Sequence, residues 1–414
     1  MTQAQPPVPV PVQAGAPVSA AGPPVRFAVV GNPENRRVAL FAEGVRAAGL
    51  PAPRIVPWAD VLRADGADFA ADEIVRLDSP GENPEVDRLL RDIQDPTRVE
   101  GSARGYARFT RATRGLRGGV RLDDTDDLAV LFDKRRCHAI LDAADVPVPR
   151  SPTSGEDAAP VRGWADVRAV MREHRMPRLF VKLAHGSSAS GVLAVESSAA
   201  GRIRATTSVE LAPDGALFNS LRLRRYERER DIAAIVDTLA PDGLHLERWL
   251  PKAALRGRVA DLRIVVVAGR ATHAVVRTSS SPLTNLHLGG SRGDLDAVRE
   301  AVRAGGGRWS DVLAVCERAA ACFPRTLCVG VDLLPAVGWR RFAVGEVNAF
   351  GDLLPRLTGL PGSGAEGLDT YAAQIAAVLH RTGTADAPQH PSHRHHPQHP
   401  RDPHRTGTTI HASA

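Results

Sequence analysis

Two apolar runs, Thr326–Leu334 and Arg341–Ala349, stand on either side of Pro335-Ala-Val-Gly-Trp339. Pro and Gly between two such runs end one strand and reverse the chain, so the stretch reads as an antiparallel hairpin. Side chains alternate faces along a strand, which puts Glu346 and Asn348 on one face. With the reversal near Val337–Gly338, Asp332 falls on that same face, opposite or diagonal to Glu346. The surrounding positions are Val, Leu, Phe and Gly, so three oxygen-bearing groups converge on otherwise apolar strands. Two carboxylates and an amide form a hard-oxygen set of the kind Mg²⁺ accepts. The plain alternative is three polar residues on the solvated face of a surface hairpin.

A chain of 414 residues is long enough for two or three domains. Its formal net charge of +6 is small against 53 basic and 47 acidic residues, so it favours an anionic small substrate at least as much as nucleic acid. Only Lys134, Lys182 and Lys252 are lysines; every other basic residue among the 53 is arginine. Lysine approaches a phosphate end-on as a point charge, where guanidinium is a planar fork. Lys134 and Lys182 stand in informative surroundings. Lys252 does not, and Lys252→Arg is expected to be nearly silent. The cysteines Cys137, Cys316, Cys322 and Cys328 form no CxxC pair and read as small core residues in a reducing compartment.

Residues 1–24 lack a basic n-region and a continuous apolar run, and read as a disordered leader. The His/Pro-rich tail, 381–414, also reads as disordered. No apolar run approaches membrane-spanning length, so the expected location is the cytoplasm, with no membrane partner.

Along the chain, Arg26–Val30, Arg54–Val56 and Glu73–Leu77 alternate with helical patterns and suggest a small parallel α/β domain. Arginines recur from Arg98 to Arg121, and Arg104, Arg108 and Arg111 lie at i, i+4 and i+7. If helical, they form either a solvated face or a surface for an anionic substrate. No aromatic interleaving of the nucleic-acid kind accompanies them. A helix capped by Leu122–Leu128 is expected to run to about Ala144 and to carry Lys134. Pro177–Lys182 reads as a strand ending in a lysine. After it comes Leu183-Ala-His-Gly-Ser-Ser-Ala-Ser-Gly191, a loop of small residues whose backbone N–H groups and hydroxyls suit phosphates. It is not a GxxxxGK[ST] loop. Residues 203–226 form a hairpin about Asp214-Gly215, Leu244–Leu250 a strand, Asp261–Val267 with Thr272–Arg277 a second hairpin, and Asn285-Leu-His-Leu-Gly-Gly290 a Gly-ended loop.

In this order the pieces resemble the ATP-grasp superfamily, and within it the RimK-like carboxylate–amine ligases. The matching residues are Asp133-Lys134, Val181-Lys182 with the loop to Gly191, Glu247-Arg-Trp-Leu250, Asp261-Leu-Arg263, Arg277, Asn285–Gly290, Gly330-Val-Asp332 and Glu346-Val-Asn348. The resemblance spans roughly residues 26–380. It implies an α/β (α+β) ATP-grasp fold with three parts: an N-terminal parallel α/β domain (25–125), a small lid domain (126–250) and a C-terminal Mg-ATP domain (251–380).

It also implies a role for each matched residue. Lys134, Lys182, Ser187 and Ser188 would hold ATP phosphates, and the backbone of Glu247, Arg248, Trp249 and Leu250 would hold adenine. Asp261 would lie near the ribose and Asn285 in the nucleotide site. Arg263 and Arg277 would stabilise the transferring phosphoryl group. Asp332, Glu346 and Asn348 would carry Mg²⁺, as two ions bridged by Glu346, with Mn²⁺ a possible substitute.

The reaction so implied joins a small-molecule or peptide carboxylate to an amine through an acyl phosphate, releasing ADP and phosphate. A carboxylate needs such activation because its own leaving group would be oxide; transfer of phosphoryl supplies a better one. The chain departs from the family pattern at Leu283 and Leu288, where arginines are usual, at Ala349-Phe-Gly-Asp352, and in the extra 203–226 hairpin. A nucleotide-binding protein without ligase activity and a nucleic-acid-binding protein are the alternative readings. Oligomeric state and substrate identity stay open.

Overall fold

The computed structural model describes residues 25–186, 189–350 and 357–383. The leader, Ser187, Ser188, Asp352 and the tail beyond Gly383 lie outside the described residues, as do the expectations attached to them.

Short, largely apolar strands alternate with helices between residues 26 and 121, and they fold as a parallel layer. The elements are β1 (Arg26–Gly31), α1 (Arg36–Ala47), β2 (Arg54–Pro57), α2 (Trp58–Ala64), β3 (Ala67–Asp68), β4 (Glu73–Leu77), α3 (Pro84–Arg91), α4 (Ser102–Arg114), β5 (Leu116–Arg117) and β6 (Val120–Arg121). The sheet order is β2-β1-β4-β6, all parallel, with β3 and β5 paired apart. One face packs Phe27, Val29 and Ile74 under α1. The other packs Ala28, Val30, Val75 and Leu77 with Trp58 and Phe109.

The single helix expected from Leu122 to Ala144 is two, α5 (Thr125–Leu131) and α6 (Lys134–Ala143). Asp133 breaks it: its carboxylate accepts from the amides of Arg135 and Arg136 and caps α6. The break makes Lys134 the first residue of a helix instead of one in its middle. Both helices pack into the core of the large C-terminal sheet through Leu128, Leu131, Cys137 and Leu141. The region expected as a lid has a separate core drawn from Val161 to Leu246, with Val99 added.

The lid comprises α7 (Trp164–Glu173), β7 (Arg178–Leu183), β8 (Leu193–Ser197), β9 (Ile203–Leu211), β10 (Leu217–Tyr226), α8 (Glu229–Leu239) and β11 (Leu244–Arg248). Its antiparallel order is β10-β9-β8-β7-β11. The β9–β10 hairpin is anchored by the N-terminal layer, where the Asn219 amide donates to the Thr97 carbonyl at 2.7 Å.

The remaining elements are β12 (Ala254–Leu255), β13 (Arg258–Val267), β14 (Arg270–Ser279), β15 (Ser291–Arg292), α9 (Leu295–Ala304), α10 (Trp309–Ala321), β16 (Cys328–Pro335), β17 (Phe342–Ala349) and α11 (Thr370–Arg381). The sheet runs β15-β14-β13-β16-β17, antiparallel, with β12 beside β13. Alternation divides its faces. Leu262, Ile264, Val266, Val331 and Leu333 pack with the apolar faces of α9 and α10, while Asp261, Arg263 and Asp332 are carried on the opposite face.

Candidate active site

The polar face of the large sheet is a row of opposite charges set by strand register. Asp261 pairs with Arg277, Arg263 with Asp332, and Asp332 with Glu346. The expected hairpin is therefore present, with Asp332 and Glu346 directly opposed. A bulge lies between Asp332 and Leu333 in this ladder and leaves Gly345 as the extra residue. Its carbonyl accepts from Lys182 at 3.4 Å.

Each carboxylate in the row is held by cations. Arg263 Nε donates to Asp332 Oδ1 at 2.6 Å, and Arg277 reaches the same oxygen at 2.9 Å. Burial alone would push the Asp332 carboxyl up, but Arg263 and Arg277 outweigh it and hold it at about 2. Lys134 Nζ donates to Glu346 Oε1 at 2.8 Å and to the Gly186 carbonyl, tying α6 and the small-residue loop to the hairpin. Arg277 and Lys134 line the cleft between lid and sheet, while Arg263 backs Asp332. Asn348 turns its amide to the Gly330 carbonyl at 3.2 Å, on the strand that carries Glu346.

On the lid side, Lys182 Nζ donates to Glu247 Oε2 at 2.6 Å, and His245 Nε2 stands 3.1 Å from Glu247 Oε1. Burial would raise the Glu247 carboxyl, yet Lys182 and His245 draw it well below the usual carboxylate range. Burial keeps His245 itself below its ordinary value. In the expected adenine strand, the Arg248 and Trp249 amides donate to the Arg150 and Arg178 carbonyls at 2.8 and 3.1 Å. Glu247, Arg248 and Leu250 line the cleft, while Trp249 packs on Phe180 with ring centroids 5.3 Å apart.

The loop after β7 closes the cleft through Gly186, Ala189 and Ser190. Gly191 has φ +66, and a Cβ there would lie 2.6 Å from Leu183 Cδ1, so glycine is required where the loop rejoins β8. Ser190 Oγ accepts from Asn219 Nδ2 at 2.7 Å, docking the loop on the extra hairpin.

Leu283 and Leu288 form a buried apolar cluster with Val192 of the lid, against which Phe180, Ala189 and Leu223 pack. Asn285 lines the cleft between these leucines, and its carbonyl accepts from the Leu288 and Gly290 amides at 3.0 and 3.1 Å.

Lys252, treated as an incidental lysine, lines the same cleft, with its side chain 8% exposed. Its Nζ lies 3.0 Å from Thr284 Oγ1 and 3.4 Å from Asp261 Oδ2. Asp261 also accepts from Arg277 Nε at 2.8 Å and from the Thr284 hydroxyl, so it is the anchor of a buried network. Lysine scarcity was the signal that could have found Lys252. Of the two readings of Arg104, Arg108 and Arg111, the contacts match the solvated face: they donate to Asp92, the Leu89 carbonyl and Asp65, and Arg104 and Arg111 are exposed. They are engaged by the turns after α2 and α3, and it is the Tyr106, Thr110 and Arg114 face of α4 that borders a second, polar cavity.

The row was tested as a divalent-cation site on its donor chemistry. Among the described residues no three His, Cys, Asp or Glu side chains converge, so a hard cation would rest on Asp332, Glu346 and the Asn348 amide oxygen. Two opposed carboxylates suit such an ion. The donor set fits Mg²⁺. Burial pushes the Cys137 thiol up to about 12, which leaves it inert as a nucleophile.

The chain is similar in structure to D-cycloserine synthetase DcsG, with a TM-score of 0.50 at 16% identity over 86% of this chain and 99% of that one. The ATP-grasp ligase PsnB complexed with its minimal precursor gives 0.46 at 17% identity, over 86% and 99%. A D-alanine–D-alanine ligase from Bacillus anthracis complexed with ATP gives 0.46 at 12%, over 87% and 98%. No family model and no curated protein matches the chain.

Proposed function

We propose that this chain, which has the ATP-grasp fold, is an ATP-dependent carboxylate–amine ligase of a peptide or small-molecule acid. The observation that carries the reading is the 2.8 Å pair between Lys134 and Glu346. It joins the start of a helix to the sheet hairpin across a cleft whose other wall holds Lys182. A cleft built from alternating carboxylates and cations is suited to a metal–triphosphate, whose charges are the complement of its own.

In this reading Phe180, Val192, Leu250 and Leu334 enclose the base, and the Leu250 amide is the donor left for it once those of Arg248 and Trp249 are used. Lys134 and Lys182 exchange their glutamates for phosphate oxygens. Arg277 turns its guanidinium toward the transferring phosphoryl group, while Arg263 keeps Asp332 ionised and aligned. Asp332, Glu346 and Asn348 hold Mg²⁺, which supplies neutralisation of phosphate charge. The small-residue loop and the apolar contact of Leu223 with Leu283 and Leu288 exclude water, which would otherwise consume an activated acid.

The substrate carboxylate is activated by phosphoryl transfer: its oxygen bonds to the γ-phosphorus as the bond to ADP breaks. The amine then attacks the acyl carbon, phosphate leaves, and the amine proton passes to solvent. Release of ADP is screened against amino acids and peptides, and any turnover is repeated with an ¹⁸O-labelled carboxylate. One labelled oxygen is expected in phosphate. Label in AMP, or label-free phosphate beside ADP, defeats the acyl-phosphate route.

A further inference from the structure

The three lysines of this chain are far apart in sequence, yet all three line one cleft. Lys134 and Lys182 enter it from α6 and from the lid strand β7. Lys252 enters from the segment between β11 and β12, whose backbone is stitched to the metal hairpin. It bridges Ala336, the Ala253 amide donates to the Pro335 carbonyl at 2.8 Å, and the Val337 amide to the Pro251 carbonyl at 3.2 Å.

The pairing of the three differs. Lys134 and Lys182 each hold a glutamate at 2.8 and 2.6 Å. Lys252 leans on Asp261 Oδ2 at 3.4 Å, and that carboxylate is already engaged by Arg277 Nε on Oδ1 and by the Thr284 hydroxyl on Oδ2. Lys252 is thus a buried ammonium with the weakest compensation of the three. Burial, with Arg277 beside it, lowers its hold on the proton. An anion entering the cleft would relieve this, and Thr284 at 3.0 Å keeps the ammonium oriented toward the loop that ends at Asn285.

We propose that Lys252 is a third phosphate-binding lysine, gripping the polyphosphate of the bound nucleotide together with Lys134 and Lys182. The assignment rests on the reading of the cleft as a Mg-ATP site. It also gives a reason for Leu283 and Leu288 to be apolar. The phosphate cation here comes from the strand side, which leaves the loop free to seal against the lid.

The test uses the full chain and two probes, the Mg²⁺ complex of the non-hydrolysable triphosphate AMPPNP, by calorimetry, and adenosine, by ligand-observed NMR. In Lys252→Met the AMPPNP dissociation constant is expected to rise about tenfold or more, as for loss of a charge-assisted contact. Adenosine affinity should stay within about twofold of wild type, and Lys252→Arg should restore AMPPNP binding to within about threefold. Unchanged AMPPNP binding in Lys252→Met overturns the proposal. So does an equal loss for adenosine, which marks a role in cleft shape, or an arginine variant as weak as the methionine one. A wild-type chain that binds neither probe overturns the nucleotide reading itself, a result distinct from any of these.

Discussion

Glu346 accepts from Lys134 across the cleft and, in the proposed reading, would be one of the residues that hold the metal. Glu346→Gln keeps the shape and removes the charge. Mg-ADP affinity by calorimetry is expected to fall about tenfold or more and turnover to be nearly abolished, while the unfolding midpoint barely moves. Wild-type affinity in that variant would remove Glu346 from the metal site. Lys182 behaves differently, because Glu247 beneath it is only 4% exposed. Lys182→Met leaves that carboxylate buried with only His245 beside it, at a cost of roughly 3 kcal/mol. The denaturant midpoint should therefore drop sharply, and the double variant with Glu247→Gln should recover much of it. A single variant as stable as wild type would mean the pair carries no stability. Lys182 could be singled out from sequence because a small-residue loop follows it. Lys252 has no such neighbour, and its place in the cleft depends on a bridge to Ala336, more than eighty positions away.

At the scale of elements, strand period made the hairpin legible. Alternation alone set Glu346 and Asn348 on one face, but the opposition of Asp332 to Glu346 also needs the bulge at Gly345, since an unbroken ladder would set Asp332 opposite Gly345, and the sequence pattern does not mark that bulge. Helices were less legible where a side chain competes with the backbone. Asp133 ends one helix and starts the next, and periodicity runs through such a break without marking it. The α4 arginines were legible as a helix face, but not the acidic turns that meet them. The extra β9–β10 hairpin and the leucines at 283 and 288 were seen as separate departures, and three-dimensional packing joins them: Leu223 packs against the cluster that holds both leucines. Leu223→Ser should loosen this seal at a cost of about 1 kcal/mol. Hydrogen exchange is expected to quicken in residues 217–226 and 283–288 together, with little change in β1 or β4. Faster exchange in only one of the two segments would show that they do not close as a unit.

For the molecule as a whole, the N-terminal layer and the large domain meet at a buried carboxyl. Leu122 donates its amide to the Val75 carbonyl, and the Leu327 amide donates to the Leu122 carbonyl, so the N-terminal layer and the large domain are tied on either side of Asp123. The Asp123 carboxylate accepts from the Leu77 amide at 3.3 Å, and burial pushes it up to about 6 despite Arg76, with Asp78 adding to the rise. A carboxyl whose folded value lies above its unfolded one favours the folded chain most when both states are protonated. That contribution is present in full below about pH 4 and is lost as pH rises through about 6. A shift of about two units corresponds to roughly 3 kcal/mol. Glu73 works in the opposite sense and in a lower window. Its hydrogen bond to Arg54 holds it at about 2, so its contribution is present above about pH 4.5 and lost as pH falls toward 2. Asp123→Asn retains an acceptor for the Leu77 amide and cannot ionise. Urea midpoints measured from pH 4 to 8 should decline less steeply in this variant than in the wild type, and near pH 8 the variant should be the more stable. Parallel curves for the two proteins would mean that Asp123 does not change its charge across this range, and that the junction between the sheets is insensitive to pH.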